Sequence, residues 1–211
     1  MRRVALLLWA AMLALSCGSD RGANVARSIP PRLEDPDEFL GRVAAAYTAM
    51  DTAAYFLELD PAYVFEMRVD EWSAAGLSAR AWDRAGERAV TRRLFTGGRN
   101  DEAEWVDEIR MGLLVRSVAE DRTDYPGRPP GETWYRVAAL VEIDAVIVNP
   151  VEMAITTYHV LSPQSFVVRP DPRGTGRYLV ARQSDEPPAA VDDTGSATSL
   201  SWGLLKARFY Q

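Results

Sequence analysis

The stretch DPDEFLGRVAAAYTAMDTAAYFLELDPAYVFEMR, from Asp35 to Arg68, decides the fold because its hydrophobic period changes partway along it. Asp35 is expected to cap a first helix, with Pro36 at the first helical position and Glu38 completing a capping box. Apolar residues then recur at three-to-four spacing, at Phe39, Leu40, Val43, Ala44, Tyr47 and Met50. This spacing predicts an amphipathic helix with one buried stripe.

A second helix and a strand are predicted immediately afterwards. Asp51 is placed to end the first helix and to cap the second, which closes before Pro61. Beyond that proline, Tyr63, Phe65 and Met67 occupy alternate positions, a pattern typical of a half-buried strand with an inward aromatic face. The order helix, helix, strand predicts an α+β domain with its N-terminal helices packed against a sheet.

This order resembles the opening of the nuclear transport factor 2-like superfamily, the SnoaL-like or cystatin-like cones. Two later segments, Trp82 to Phe95 and the closing Trp202-Gly203-x-x-Lys206, are similar to segments of bacterial lipoprotein members. The resemblance covers residues 35–211 and implies one domain in which a strongly curved, mostly antiparallel sheet wraps around helices and encloses a pocket. Because that fold carries both enzymes and binding modules, it implies a shape and leaves the activity open.

The N-terminus predicts export. Residues 1–16 combine a basic start with an apolar run too short to span a bilayer, which indicates a signal peptide. Ala14 to Cys17 resembles a bacterial lipobox, which implies lipidation of Cys17, although ordinary signal peptidase cleavage at the same bond stays open. The glycine that follows implies the outer membrane, facing the periplasm. Residues 17–34 are then the lipidated cysteine and a flexible tether.

Composition bounds the partners. The chain has 211 residues, is 47% hydrophobic and carries a formal net charge of -6, which is enough core for one domain. An acidic surface disfavours phosphate backbones, so no nucleic acid partner is expected. With one cysteine, no internal disulfide can form.

The rest of the chain predicts one more helix and a series of strands. Ser78 is expected to cap the helix, which runs to Phe95 and places Glu87 among charged residues on a solvated face. The acidic group between Asp101 and Glu108 is expected to be an exposed loop and strand edge. Strands are predicted at 106–120, 133–148, 153–161, 165–169 and 177–183, and the C-terminus should dock as a strand or short helix.

The sequence lacks the residues that catalysis in the resembling enzymes requires. In the ketosteroid isomerases of the superfamily, a tyrosine and an aspartate do the work, and the matching positions here hold Val43 and Met67. A one-residue slip would offer Glu66, but strand parity points it to solvent. His159 is the only histidine, without an evident nucleophile or metal partner, and no cofactor or metal site is predicted.

The aromatic face of the strand has two interpretations, a pocket wall or a packed core, and either should be apolar. The candidate lining residues are Tyr63, Phe65, Met67, Trp82, Val141, Ile143 and His159. The sequence favours an exported, lipid-anchored, non-catalytic binding or interaction module, with a hydrophobic small molecule in the cone or a homodimer through the sheet. The alternative is an isomerase, cyclase or hydrolase of the polyketide-cyclase-like branch that uses Glu66, His159 or Asp144.

Overall fold

The computed structural model describes residues 34–187 and 201–210. The predicted signal peptide, Cys17 and the tether up to residue 33 lie outside the described residues. The helices of the described part are α1 (Pro36–Thr48), α2 (Thr52–Leu57), α3 (Val69–Ala75), α4 (Arg84–Phe95) and α5 (Trp202–Arg208). The strands are β1 (Leu59–Glu66), β2 (Ala81–Asp83), β3 (Trp105–Asp121), β4 (Trp134–Asn149), β5 (Ala154–Pro170) and β6 (Tyr178–Asp185).

The strands form one sheet in the order β2-β1-β6-β5-β4-β3. Every neighbouring pair is antiparallel except β1 and β6, which run parallel. The predicted α+β class is therefore confirmed. The alternation predicted for β4 is also present: alternate residues from Val137 to Ile147 are buried, while those between them are exposed or half-buried.

Three local predictions differ from the structure. The segment after Arg68, where no helix was predicted, forms α3, which ends at Gly76 in the left-handed conformation with φ 66°. The helix expected from Ser78 begins only at Arg84, because the Asp83 carboxylate caps it and the preceding residues pair with β1 as β2. The two strands predicted at 153–161 and 165–169 are the single strand β5.

The core lies between the helices and the inner face of the sheet. The α5 helix docks there, within the range of forms expected for the C-terminus, and Trp202, Leu205 and Phe209 are completely buried. In the part of the chain that the structure describes, no helix has the length and apolar composition needed to cross a bilayer.

The described chain begins at one end of the long strands. The Glu34 amide donates to the Gly176 carbonyl at 3.0 Å, and the Glu34 carboxylate accepts from the Tyr178 amide at 2.7 Å. Both contacts lie on the turn between β5 and β6. At the opposite end of β5, the turn from β4 exposes 76% of Val151 and 92% of Met153.

Candidate functional site

A buried carboxylate, Glu87, lies at the centre of the interior. Since α4 begins at Arg84, its inward stripe includes Glu87, Val90 and Leu94. The expectation that Glu87 belongs to a solvated face is wrong, because the side chain is completely buried.

The Glu87 carboxylate accepts hydrogen bonds on both of its oxygens. Lys206 also forms an ion pair with it, and both side chains are completely buried. Within the described chain the donors are Lys206 Nζ at 2.7 Å, Tyr55 OH at 2.8 Å, Trp82 Nε1 at 2.8 Å, Tyr47 OH at 3.2 Å and Thr91 Oγ1 at 3.4 Å. Such dense donation is what a buried charge requires.

Burial and charge pairing act in opposite directions on the pKa values of this cluster. Burial raises the pKa of Glu87, but the Lys206 ammonium and the hydrogen bonds outweigh it, so its pKa lies below the ordinary value. Burial lowers the pKa of Lys206, and the attraction of Glu87 opposes that shift. Burial, and then the charge of Glu87, hold the pKa values of Tyr47 and Tyr55 well above normal, so both stay protonated donors.

The aromatic residues predicted from the sequence surround this pair. Phe65 stacks on Trp82 with ring centroids 4.5 Å apart, and Lys206 Nζ lies 4.1 Å from the Phe65 centroid. The interior also buries Tyr63, Met67, Val141 and Ile143. These side chains pack against one another as one cluster.

A second polar network runs along the inner face of β5 and β6. The Tyr63 hydroxyl donates to Gln183 at 3.0 Å, and the Gln183 amide donates to Gln164 at 3.1 Å. Gln164 in turn donates to Asp185 Oδ1 and, at 2.9 Å, to Ser162. Oδ2 of Asp185 is buried and has no hydrogen-bond partner. The expectation of a purely apolar interior is therefore wrong.

Asp185 is a buried acid with a raised pKa. Burial raises its pKa to about 7, repulsion from Glu71 adds to the rise, and the hydrogen bond from Gln164 opposes it. Its Oδ2 faces Gly203, where a Cβ atom would overlap it. The carboxyl group is thus enclosed by the first turn of α5.

Hydrogen bonds at both ends of α5 hold it against the interior. At its N-cap, the Ser201 hydroxyl donates to Glu71 at 2.6 Å. At its end, Arg208 Nε donates to Glu104 at 2.7 Å, and Arg93 donates to the Phe209 carbonyl at 3.2 Å. Glu104 comes from the acidic segment expected to be exposed, but it is buried because it receives this guanidinium.

The remaining sequence candidates lie away from the interior. His159 does not line it, because β5 directs this residue to the outer face of the sheet, where it is largely exposed and pairs with Asp144 on β4. Glu66 pairs with Arg80 at the surface, as strand parity predicts. All three acid–base residues of the enzyme alternative are thus outside the interior. In the described ranges, no group of three or more His, Cys, Asp or Glu residues could hold a metal ion.

Sequence reasoning did not foresee Glu87, Lys206 or Asp185 as interior residues. One signal was present, since Lys206 is the only lysine in the chain, every other basic residue being arginine. A lone lysine within an otherwise apolar terminal segment indicates a specific partner. Asp185 gave no such signal, because it stands in a polar run.

Comparisons with known proteins concern the fold. No protein-family model and no curated protein matches the chain. Similar solved structures include a ketosteroid isomerase-like protein from Erwinia carotovora (14% identity, 72% of this chain, 94% of that one, TM-score 0.43). A nuclear transport factor 2-like protein from Salmonella enterica has 12% identity over 75% and 93%, with TM-score 0.45. A cystatin-like domain from Nostoc punctiforme has 10% identity over 74% and 76%, with TM-score 0.43. The chain itself has an α+β fold whose helices pack on an open, mostly antiparallel six-stranded sheet, and the architecture is what it shares with these structures.

Proposed function

We propose that this domain is a non-catalytic binding and interaction module, held at the bacterial outer membrane by a lipidated Cys17. The Lys206–Glu87 pair carries the proposal, because the charged groups at the centre of the interior are completely buried and bound to each other. A general base needs a lone pair within hydrogen-bond reach of its substrate. Both Glu87 oxygens are already engaged by protein donors.

The outer face of the sheet carries exposed apolar residues, unlike the closed interior. Leu114 on β3, Leu140 on β4 and Pro163 on β5 form one cross-strand row there, and Leu161 lies two residues along. Leu114 and Leu161 are 55% and 54% exposed. Contiguous exposed apolar side chains mark interaction surfaces, and we propose that this face pairs with a second copy of the chain.

Sedimentation velocity across a concentration series tests that pairing. Wild-type domain should show a concentration-dependent dimer, and Leu161→Asp should shift it to monomer because a charge would be desolvated at the interface. Leu57→Asp is the matched control, since Leu57 is similarly exposed, at 62%, but lies on α2. A monomer at every concentration, or a dimer insensitive to Leu161→Asp, would refute the interface.

The proposed binding module could also hold a hydrophobic small molecule inside the domain. Trp202, Lys206 and Phe209 fill that space in the structure, so a guest could enter only if α5 left. A saturable change in tryptophan emission with an apolar probe, lost in Phe65→Ala at preserved folding, would support it.

Asp185 supports a second candidate, a small-molecule isomerase, cyclase or hydrolase. A buried carboxyl with one free oxygen and a pKa raised to about 7 has the properties of a general base. Isomerisation of a Δ5-3-ketosteroid is a direct test. We expect no rate above that in buffer, because α5 covers the carboxyl group. Turnover that Asp185→Asn abolishes would favour the enzyme.

A further inference from the structure

Two recesses meet on the surface at α2, β1 and the start of α4, outside the interior. The first, of about 540 Å³, has Phe56, Pro61, Tyr63, Asp83, Arg84 and Arg88 in its lining. The second, of about 260 Å³, has Phe56, Leu57, Pro61, Arg84, Asp171 and Arg173 in its lining. Because Phe56, Pro61 and Arg84 line both, the recesses are neighbours with a common wall.

Two arginines define the polar half. The guanidinium carbons of Arg84 and Arg88 lie 5.3 and 5.2 Å from the centroid of the Phe56 ring. Arg84 donates one hydrogen bond, from Nη2 to the Phe56 carbonyl at 2.8 Å, while its buried Nε has no acceptor. Among the described residues neither arginine forms an ion pair with a carboxylate.

The nearby acids are engaged elsewhere. Oδ1 of Asp83 accepts from the amides of Ala85 and Gly86 at 3.0 and 2.9 Å as the cap of α4. Asp171, at the rim of the second recess, pairs with Arg173 at 2.9 Å. In a chain with a net charge of -6, this leaves a local excess of positive charge at Arg84 and Arg88.

The second recess supplies an apolar half. Leu57, Leu59 and Leu179 contribute to its wall together with Pro61 and Pro172. Leu57 is 62% exposed although it is a large aliphatic residue. Its exposure beside two cationic side chains is the arrangement that suits a ligand with one apolar and one anionic end.

We propose that these joined recesses bind an amphiphilic carboxylate. Its apolar chain lies against Leu57, Leu59 and Leu179, and its carboxylate lies across Arg84 and Arg88. Guanidinium groups are matched to carboxylates in both charge and hydrogen-bond geometry. The combined space falls within the range of roughly 300 to 1,000 Å³ that is usual for small-molecule sites. The site lies apart from the Lys206–Glu87 pair and from the outer face of the sheet.

Octanoate is a suitable probe, with octan-1-ol as its uncharged counterpart, in an amide chemical-shift titration of the full mature domain at low salt. Octanoate should give saturable shifts confined to the segments around Phe56 and Arg88. Octan-1-ol should bind about tenfold more weakly, because it lacks the charge-assisted hydrogen bonds.

Two variants of α4 distinguish a specific contact with octanoate from a general effect of positive charge on its affinity. Arg88→Gln should weaken octanoate about fivefold or more, consistent with one lost charged contact. Arg92→Gln, also exposed and one turn further along α4, should change the affinity less than about twofold. Neither side chain has a structural hydrogen bond in the described chain that its loss would break.

A third variant tests the apolar half. Leu57→Asp should abolish octanoate binding, since it places a carboxylate where the apolar chain lies, and it should leave the fold intact because Leu57 is exposed. No saturable shift at millimolar octanoate, equal affinity for octan-1-ol, or no effect of Arg88→Gln would each overturn the proposal. None of these outcomes bears on dimer formation through the sheet.

Discussion

Gly203 lies so close to Asp185 that a residue with a Cβ atom would not fit at position 203 in the folded chain. A Cβ atom at position 203 would overlap Oδ2 of Asp185 and would lie 3.3 Å from Cγ of Met67. The first turn of α5 therefore approaches β6 more closely than any side chain would allow. This approach, and not a turn requirement, accounts for the glycine within a helix that would otherwise favour alanine.

Replacement of Gly203 by alanine should consequently destabilise the domain. Overpacking of a filled interior costs about 1 to 3 kcal/mol, which corresponds to roughly 2 to 12 °C in melting temperature for a chain of this size. Thermal unfolding by circular dichroism measures it.

Gly41 provides the matched control for that variant. It lies within α1, and a Cβ built on it meets nothing within 4 Å. Gly41→Ala should be neutral or stabilising by up to about 1 kcal/mol. Equal effects of the two alanine variants would contradict the close approach of Gly203 to Asp185.

The buried ion pair predicts strong non-additivity. Lys206→Met should cost about 3 to 5 kcal/mol, because it leaves the Glu87 carboxylate buried without its counter-ion, and Glu87→Gln should be similarly costly. The double variant should lose much less than the sum, since neither charge remains. Urea denaturation of the four proteins measures the coupling, and additive losses would mean that the pair does not interact.

Asp185 predicts a pH dependence of opposite sign to that of most carboxylates. Its pKa is raised to about 7 in the folded protein from 3.8, so the folded state binds more protons between those values. Its contribution is fully present below about pH 4 and is lost as the pH rises through 7, by on the order of a few kcal/mol. The neighbouring charges in this balance are Glu71 on α3, Lys206 on α5 and Arg68 before α3.

Asp185→Asn isolates that contribution. The asparagine can keep an acceptor for Gln164 but cannot ionise. The unfolding free energy of wild type relative to this variant should fall between pH 5 and pH 7.5, measured by urea denaturation at each pH. A constant difference across that range would mean that Asp185 titrates normally.

The proposed lipid anchor predicts a change in localisation. Cys17→Ser should block lipoprotein maturation and release or misprocess the protein, whereas wild type should partition with detergent-soluble membrane. Cell fractionation and intact mass of the mature N-terminus measure it. A wild-type protein that is soluble in the periplasm with an unmodified cysteine would refute the anchor.

The sequence was most informative where periodicity is long and uniform. The alternation along β4 predicted a strand and its buried face, because a sixteen-residue strand repeats the same constraint many times. The start of α4 was misplaced because both Ser78 and Asp83 can cap a helix, and only pairing of residues 81–83 with β1 decides between them. That pairing joins distant parts of the chain and has no local signature.

The interior polar groups show a second limit. Glu87 stands among arginines in the sequence, so local charge pairs suggested a solvated face. Its partner Lys206 lies 119 positions away, and its burial is acceptable only because that ammonium arrives from α5. Composition can mark the lysine as unusual, but only the three-dimensional packing shows which carboxylate it meets.

The two ends of β5 lie beside different features of the molecule. Residue 34 is held at the turn after this strand, and the exposed pair Val151 and Met153 precedes its other end. Seventeen residues of extended chain separate the two ends by up to about 55 Å. The point at which the described chain begins and the exposed apolar pair are therefore set apart by the whole length of this strand, so a partner that binds Val151 and Met153 would not have to contact the segment around residue 34.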